Sequence, residues 1–438
     1  MIRQTNSNEN KLKMSDVISL MLDTLILGIS LIVVFSTKDR IETLPIIGYL
    51  IIGISIYLCF KVRKNEKLLF LFAIVSFINI SIGFTDCINK GLYVSPWQIP
   101  LRESEYNSYT AKSILLFLCI INMFLSTKWL HSKAVNIRYT ELIRRENLII
   151  GYIGTILMFA ILLMGYDTSV KVNNTYVSNS NPLIEYSVII FAVVWLYIGK
   201  NKKLHFLLSL YAFLYILYSL SFGDRSAAFL MILLYYLLYV GNKIRLSLTR
   251  VFILAILAIT LSNFIAEYRS GKSLEIMSML QSAIQRGVYS DTVSYSYYAS
   301  ITISAVKHID NSVVYFLQYL KTILLGGGSS EFGNLANFVK ENYLYNVGGG
   351  LYTSYFYFGL GYPGVIMASA ILGFIIRGVY SKKGNFAVLY QILIPVLSIR
   401  WYLYGPTSLY RSVFIIATFV LLSCIIFDQL VSKKRQLN

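Results

Sequence analysis

The chain has 438 residues, of which 56% are hydrophobic and 14% charged, with a formal net charge of +18 and a mean hydropathy of +0.62. That balance excludes an ordinary soluble enzyme and fits an all-α polytopic membrane protein. The basic excess is gathered into short segments between apolar runs, which is a topology signal, so no nucleic-acid partner is expected.

The first 13 residues are polar, and the apolar run that follows is long enough to span a bilayer, so no cleavable signal is expected. In chain order the predicted spans are 17–36, 45–60, 68–85, 113–126, 148–166, 183–198, 204–222, 226–240, 251–268, 361–376, 386–399 and 412–430. Twelve spans leave both termini on one side of the lipid bilayer. The short segments on that side hold 24 of the 39 basic residues, which predicts cytoplasmic termini. The whole of 1–438 reads as one integral membrane domain.

Three segments on the other side are long enough for chemistry. Residues 84–109 carry Pro96, Trp97, Pro100 and Arg102, and 167–182 is rich in Asn, Ser and Thr. The large outer loop, 269–350, is too apolar for a disordered linker and predicts amphipathic helices on or in the outer surface. Glycine triplets at 326–328 and 348–350 allow a re-entrant or hinged lid there.

Several chemistries are absent from the pattern. Of the four cysteines, Cys59, Cys119 and Cys424 lie in apolar runs and Cys87 in a predicted loop, so no disulfide framework is implied. Three histidines without Cys/His clustering predict no zinc site, and no Walker-type phosphate loop is present. No cofactor is expected. No internal repeat is apparent, although an inverted-repeat transporter should show matched broken helices.

The turn at 222–226, FGDRS, sits between two apolar runs. Gly223 permits a sharp turn and Ser226 can cap the next helix, so Arg225 stands beside a helix N-terminus. Two readings fit: an anion site at the membrane surface, or an arginine snorkelling to phospholipid head groups. On the predicted topology Arg269, Arg286, Arg400 and Arg411 reach the same outer mouth. Any one of them alone reads as an interfacial anchor. As a set from separate outer turns, they suggest a clamp for a doubly charged group such as a diphosphate, because guanidinium forks bind phosphate oxygens bidentately.

The 35 tyrosines, including Tyr352 and Tyr404, fit an aromatic belt, and a few fit sugar-stacking positions. A base for an attacking hydroxyl is sought among Asp224, Glu267, Asp291, His308, Glu331 and Glu341. His308 is favoured for its ordinary pKa, and Glu331 for its place beside the Gly/Ser turn near Asn334 and Asn337.

At these residues the chain resembles the Wzy-type oligosaccharide repeat-unit polymerases of bacterial O-antigen and capsule pathways. The likeness rests on the G-x-R turn (Gly223, Arg225), Arg269 at the end of a later outward span, and Arg286 in the long loop. It continues through the Asn-x-x-Asn element (Asn334, Asn337), the aromatic GGGLYTSYFYFGLGYPGV segment, and the last outer turn with Arg400 and Arg411. It covers the chain from about residue 204 onward, with only topology in common before it.

The resemblance implies a GT-C-like membrane glycosyltransferase in the bacterial inner membrane that polymerises undecaprenyl-diphosphate-linked glycans at its periplasmic face without a metal. The arginines would be catalytic, with His308 or Glu331 as base. Gly223, Asn334, Asn337, Tyr352 and Tyr404 would contact substrate, and a chain-length regulator would be a partner. The alternatives are an O-antigen ligase, with the same donor and a lipid A core acceptor, and a lipid-linked oligosaccharide flippase.

Overall fold

A computed structural model describes residues 14–37, 41–92, 94–134, 146–165, 183–221, 224–241, 243–244, 246–270, 276–325, 335–342 and 348–437. The side chains of 15, 266–270, 276, 279 and 432–437 lie outside that description. A bilayer leaves no water for backbone groups, so long apolar runs must satisfy them internally as helices. The described backbone is organised accordingly.

The chain begins with α1 (Met14–Ser36), α2 (Leu44–Val62) and α3 (Glu66–Ser81), the last running on as a π-helical stretch, Ile82–Ile88. Then come the short α4 (Ile99–Arg102), α5 (Glu105–Phe124), α6 (Thr127–Ser132), α7 (Leu148–Met164), α8 (Leu183–Tyr197) and α9 (Lys202–Ser221). α10 (Arg225–Tyr235) ends in a π turn, Tyr236–Val240, and leads to α11 (Leu248–Ser270). The large loop forms α12 (Ile276–Gln285), α13 (Asp291–Ala305), α14 (Ser312–Leu325) and α15 (Leu335–Asn342). α16 (Tyr352–Leu360), α17 (Tyr362–Tyr380), α18 (Asn385–Val396), α19 (Ser398–Leu403), a π-helical stretch Ser408–Ile416 and α20 (Ala417–Leu437) complete it.

Among the described residues eight helices are long and apolar enough to cross a membrane: α1, α2, α3, α5, α9, α11, α17 and α20 with the π stretch before it. The other four predicted spans correspond to the shorter apolar helices α7, α8, α10 and α18, and α14 is a fifth short one.

Helix starts are written locally. Asn65 accepts from the Leu68 amide, Asn147 from those of Ile149 and Ile150, and Asp224 from that of Ala227, each satisfying a first-turn N–H that has no helical partner. Between apolar helices in lipid, close packing supplies the attraction, and small residues permit it. Gly48 and Gly83 show this: a Cβ on either would lie 2.9–3.0 Å from the other's carbonyl oxygen.

Polar side chains gather at two opposite ends of the bundle. At one end Lys61 donates to Asp23 Oδ2 at 2.6 Å and to the Asn122 carbonyl and side-chain oxygens at 2.9 and 3.0 Å. Asn122 and Tyr57 both donate to Asp23 Oδ1 at 3.0 Å, and the Lys61 and Asp23 side chains are only 3% exposed. Lys67, also buried, bonds Gln391 at 2.9 Å. Lys61 and Lys67, which the sequence suggests as loop charges, are interior groups with built partners.

At the other end the loop helices pack into the bundle. α14 is two-faced: Phe316, Tyr319 and Ile323 are buried while Val313, Val314, Leu317, Leu324 and Leu325 are exposed. α13 is instead buried along nearly its whole length, because its Ser, Thr and Ala positions allow close approach and hydrogen bonding. Ser304 meets Thr110 at 3.0 Å, Tyr297 donates to Asn107 at 2.6 Å, and Ser300 accepts the Leu351 amide at 2.6 Å.

The second glycine triplet belongs to this seam. Gly348, Gly349 and Gly350 all have positive φ, and the Gly350 amide donates to the Leu403 carbonyl at 3.0 Å. A Cβ on Gly349 would sit 2.8 Å from the Tyr404 ring. That turn therefore fastens the start of α16 to the last loop. Cys87, placed in a loop by sequence, is fully buried in the π stretch after α3.

Candidate active site

The end of the bundle that holds α13 also holds a cluster of charges. Arg225 opens α10 and is held by two other elements. Its Nη1 donates to the Ser262 carbonyl of α11 at 3.0 Å, and its Nη2 pairs with Asp291 Oδ2 of α13 at 2.8 Å. The other Asp291 oxygen accepts the Thr292 amide at 2.7 Å and its hydroxyl at 3.3 Å. Burial pushes the Asp291 carboxyl up, but the Arg225 guanidinium and the Thr292 bonds outweigh it and hold it below the usual carboxylate range.

Arg400 of α19 is the second cation. Its Nη2 pairs with Glu185 of α8 at 2.7 Å and lies 3.9 Å from Asp224 Oδ1, and the guanidinium sits 5.4 Å from the Tyr404 ring centre. Burial disfavours its charge, but Glu185 and Asp224 more than compensate and push its pKa up. Arg400 Nε is buried without a hydrogen-bond partner among the described residues, a free donor at the centre of the cluster. Asp224 and Arg225 are neighbours in the chain, so both arginines share one place.

A groove of about 360 Å³ opens from this cluster. Arg225, Ser226, Ser290 and Thr292 form its polar end; Phe77, Phe229, Leu233, Tyr236, Leu254 and Ala258 are among its apolar walls, on α3, α10 and α11. Its lining on α11 runs from Val251 to Ser262, about 17 Å at the rise of an α-helix. A long hydrocarbon chain fits such a trough with an anionic head at the guanidinium end.

A family model for the O-antigen polysaccharide polymerase Wzy matches residues 17–435, nearly the whole chain. The chain belongs to the Wzy family.

Members of this family polymerise O-antigen repeat units, acting on lipid-linked oligosaccharides in membranes, and this Wzy-family chain is a multi-pass membrane protein and a polymerising glycosyltransferase-type enzyme. No curated protein and no solved structure matches it.

The residues singled out by sequence are distributed unevenly around the Wzy cluster. Arg225 and Arg400 are brought together. Arg286 is half-buried at the edge, its guanidinium 6.0 Å from the ring of Tyr289, two residues before Asp291. Arg411 is half-buried on the stretch Ser408–Ile416, beyond the same last turn. His308 is exposed beyond the far end of α13, more than about 20 Å from Asp291 along the helix axis. Asn337 is exposed on α15. Tyr352 is fully buried, its hydroxyl donating to the Ala368 carbonyl at 3.2 Å and meeting Tyr410 at 2.8 Å, whereas Tyr404 lies against Arg400. Gly223, Glu331, Asn334 and the side chain of Arg269 lie outside the described residues.

Two acids at the site escaped the sequence reading. Glu185 is the only acid in the apolar run 183–198, at its outer end, and that isolation was the available signal. Asp86 is buried just beyond, its oxygens accepting from Thr85 at 2.8 Å and Ser294 at 3.4 Å. The run of polar residues after it disguised the last turns of a helix as loop.

A pH dependence follows from Asp291. Its folded pKa is depressed, so its contribution to stability is complete above the ordinary carboxylate value, about 4. That contribution disappears as the pH falls through the lower folded value. The difference in detergent melting midpoint between wild type and Asp291→Asn should stay constant well above about pH 4, shrink as the pH falls below it, and vanish once the pH is below the lower folded value.

Proposed function

We propose that this chain joins undecaprenyl-diphosphate-linked repeat units at the periplasmic face of the inner membrane, with twelve helices crossing and both termini cytoplasmic. The supporting observation is the groove: a hydrocarbon-lined trough that ends at Arg225, beside a second arginine. In this reading the polyprenyl chain lies between α3, α10 and α11, and the diphosphate sits at Arg225 and Arg400. The four short apolar helices count as spans beside longer neighbours: α8 and α18 are largely buried among them, and α7 turns an apolar face outward.

The reaction follows from these groups. A terminal hydroxyl oxygen of one glycan attacks the anomeric carbon of the other, forming the new C–O bond. The bond from that carbon to the diphosphate oxygen breaks, and its electron pair leaves with the lipid diphosphate. The guanidiniums stabilise that departing charge.

The hydroxyl proton goes to a carboxylate, and among the described side chains Asp291, paired with Arg225, is the acid named from sequence that this reading uses. While paired with Arg225 it is a weak base. A diphosphate that draws Arg225 away leaves Asp291 without its counter-charge and raises its basicity, so base and substrate are coupled.

Filling the groove tests the assignment. Ala258 lines the trough and Phe252, on the same helix, does not. Ala258→Trp should lower turnover of lipid-linked repeat units at least about tenfold by excluding the chain, while Phe252→Trp leaves the polymer ladder unchanged. Equal ladders from the two variants would remove the lipid groove from the mechanism.

A further inference from the structure

One turn of α13 past Asp291, on the same helix face, stands Tyr295, and a second aromatic group from a different part of the chain meets it. The Trp97 and Tyr295 rings are stacked with centroids 6.0 Å apart and planes within 8° of parallel. Tyr298 supports Trp97 edge-on at 6.3 Å and 74°. This ledge is built rigidly. Trp97 lies in a 3-10 turn, Pro96–Gln98, closed by the Ser95 amide donating to Gln98 Oε1 at 2.6 Å. Tyr298 is fully buried, with its hydroxyl pressed so close to Gly91 that a Cβ there would lie 2.9 Å away.

The ledge is also accessible and has a polar rim. Tyr295 is 37% exposed, and Trp97 is half-buried. Arg102, whose side chain reaches the same Gly91, pairs with Glu103 at 2.7 Å and donates to the Lys90 carbonyl at 3.3 Å. Flat aromatic faces ringed by charged hydrogen-bonding groups suit a sugar, whose C–H faces pack on the rings while its hydroxyls meet the rim.

Three chemistries therefore lie in sequence along this side of the molecule: an apolar trough, a guanidinium pair, and an aromatic ledge about 6 Å further on. We propose that Trp97 and Tyr295 form a carbohydrate subsite that takes a sugar ring of the lipid-linked glycan close to its diphosphate. This rests on the lipid-diphosphate reading of the Arg225 end, and adds to it the residues that hold the glycan.

The test uses the full chain in detergent and the repeat-unit oligosaccharide released from the host's own polymer, which carries neither lipid nor phosphate. Added oligosaccharide should change the tryptophan emission of wild type, and the change should be absent in Trp97→Phe, although the chain retains three other tryptophans. Tyr295→Ala should raise half-saturation about tenfold, with Tyr295→Phe close to wild type. In turnover of lipid-linked repeat units, Trp97→Ala should raise KM by a similar factor with kcat little changed.

An emission change that survives Trp97→Phe, no change in wild type, or an unaltered KM in both alanine variants would overturn the subsite. Farnesyl diphosphate, tried separately as an inhibitor of turnover, reports on the Arg225 end alone. Its failure beside a positive oligosaccharide titration would remove the diphosphate reading and leave the ledge in place.

Discussion

Replacing Arg400 by alanine is expected to abolish polymer formation and to destabilise the bundle together. The guanidinium holds Glu185 at 2.7 Å and lies 3.9 Å from Asp224, and its side chain is only 16% exposed. Removing it strands two carboxylates in a region that water reaches poorly. Deleting one member of such a buried pair typically costs about 3–5 kcal/mol. Arg400→Met combined with Glu185→Gln removes both charges of the closer pair and should regain most of the melting midpoint.

Polymer should not return in that double variant, because the guanidinium proposed to face the departing diphosphate is gone. Midpoint and ladder measured on the same membranes therefore separate the two roles of Arg400. Full ladders from Arg400→Ala would end its role in catalysis, and an unchanged midpoint would mean that the ion pair contributes nothing.

Arg225→Lys should give the second large effect, and of a different kind. Lysine keeps a positive charge near Asp291, so the midpoint should move little. It loses the fork that binds the Ser262 carbonyl and Asp291 at once and that would grip two phosphate oxygens. Loss of one such transition-state donor commonly costs about a hundred- to a thousandfold in kcat. Turnover of lipid-linked repeat units should fall by that order at a nearly constant melting temperature. A lysine variant with normal turnover would show that a point charge suffices.

The apolar helices were legible in the sequence because a bilayer demands long runs without polar interruption, and each of the twelve runs is helical where described. Their lengths were less legible. α18 is short because it follows the turn at 381–384 and carries Pro395 near its end, so it falls below the length of a full crossing. α13 misled for the opposite reason. Its hydroxyl-rich sequence resembles surface, yet the Ser300 and Thr302 hydroxyls bond carbonyls in the turn below and Ser294 bonds Asp86, and the helix is core.

At the site, the arginines stood out because a guanidinium between apolar runs has few tolerable places. Their acids stood out less. Asp224 and Asp291 are named only among six candidate bases, and Glu185, at the start of a helix where an acid is also expected for the helix dipole, is not among them. The aromatic ledge was invisible for a simpler reason: Trp97, in an outer loop, and Tyr295, one of many tyrosines read mostly as interfacial belt, are far apart in the chain.

The Asp23–Lys61 pair at the opposite end has a consequence for biogenesis. α1 carries its aspartate near mid-length, and an unpaired aspartate at a helix centre costs about 2.5–3.5 kcal/mol on insertion. The groups that neutralise it, Tyr57 and Lys61, are synthesised 34 and 38 residues later, and Asn122 only 99 residues later. The nascent first helix is thus a poor tenant of lipid by itself. It should linger at the translocon until α2 emerges, and the two should partition laterally as a hairpin.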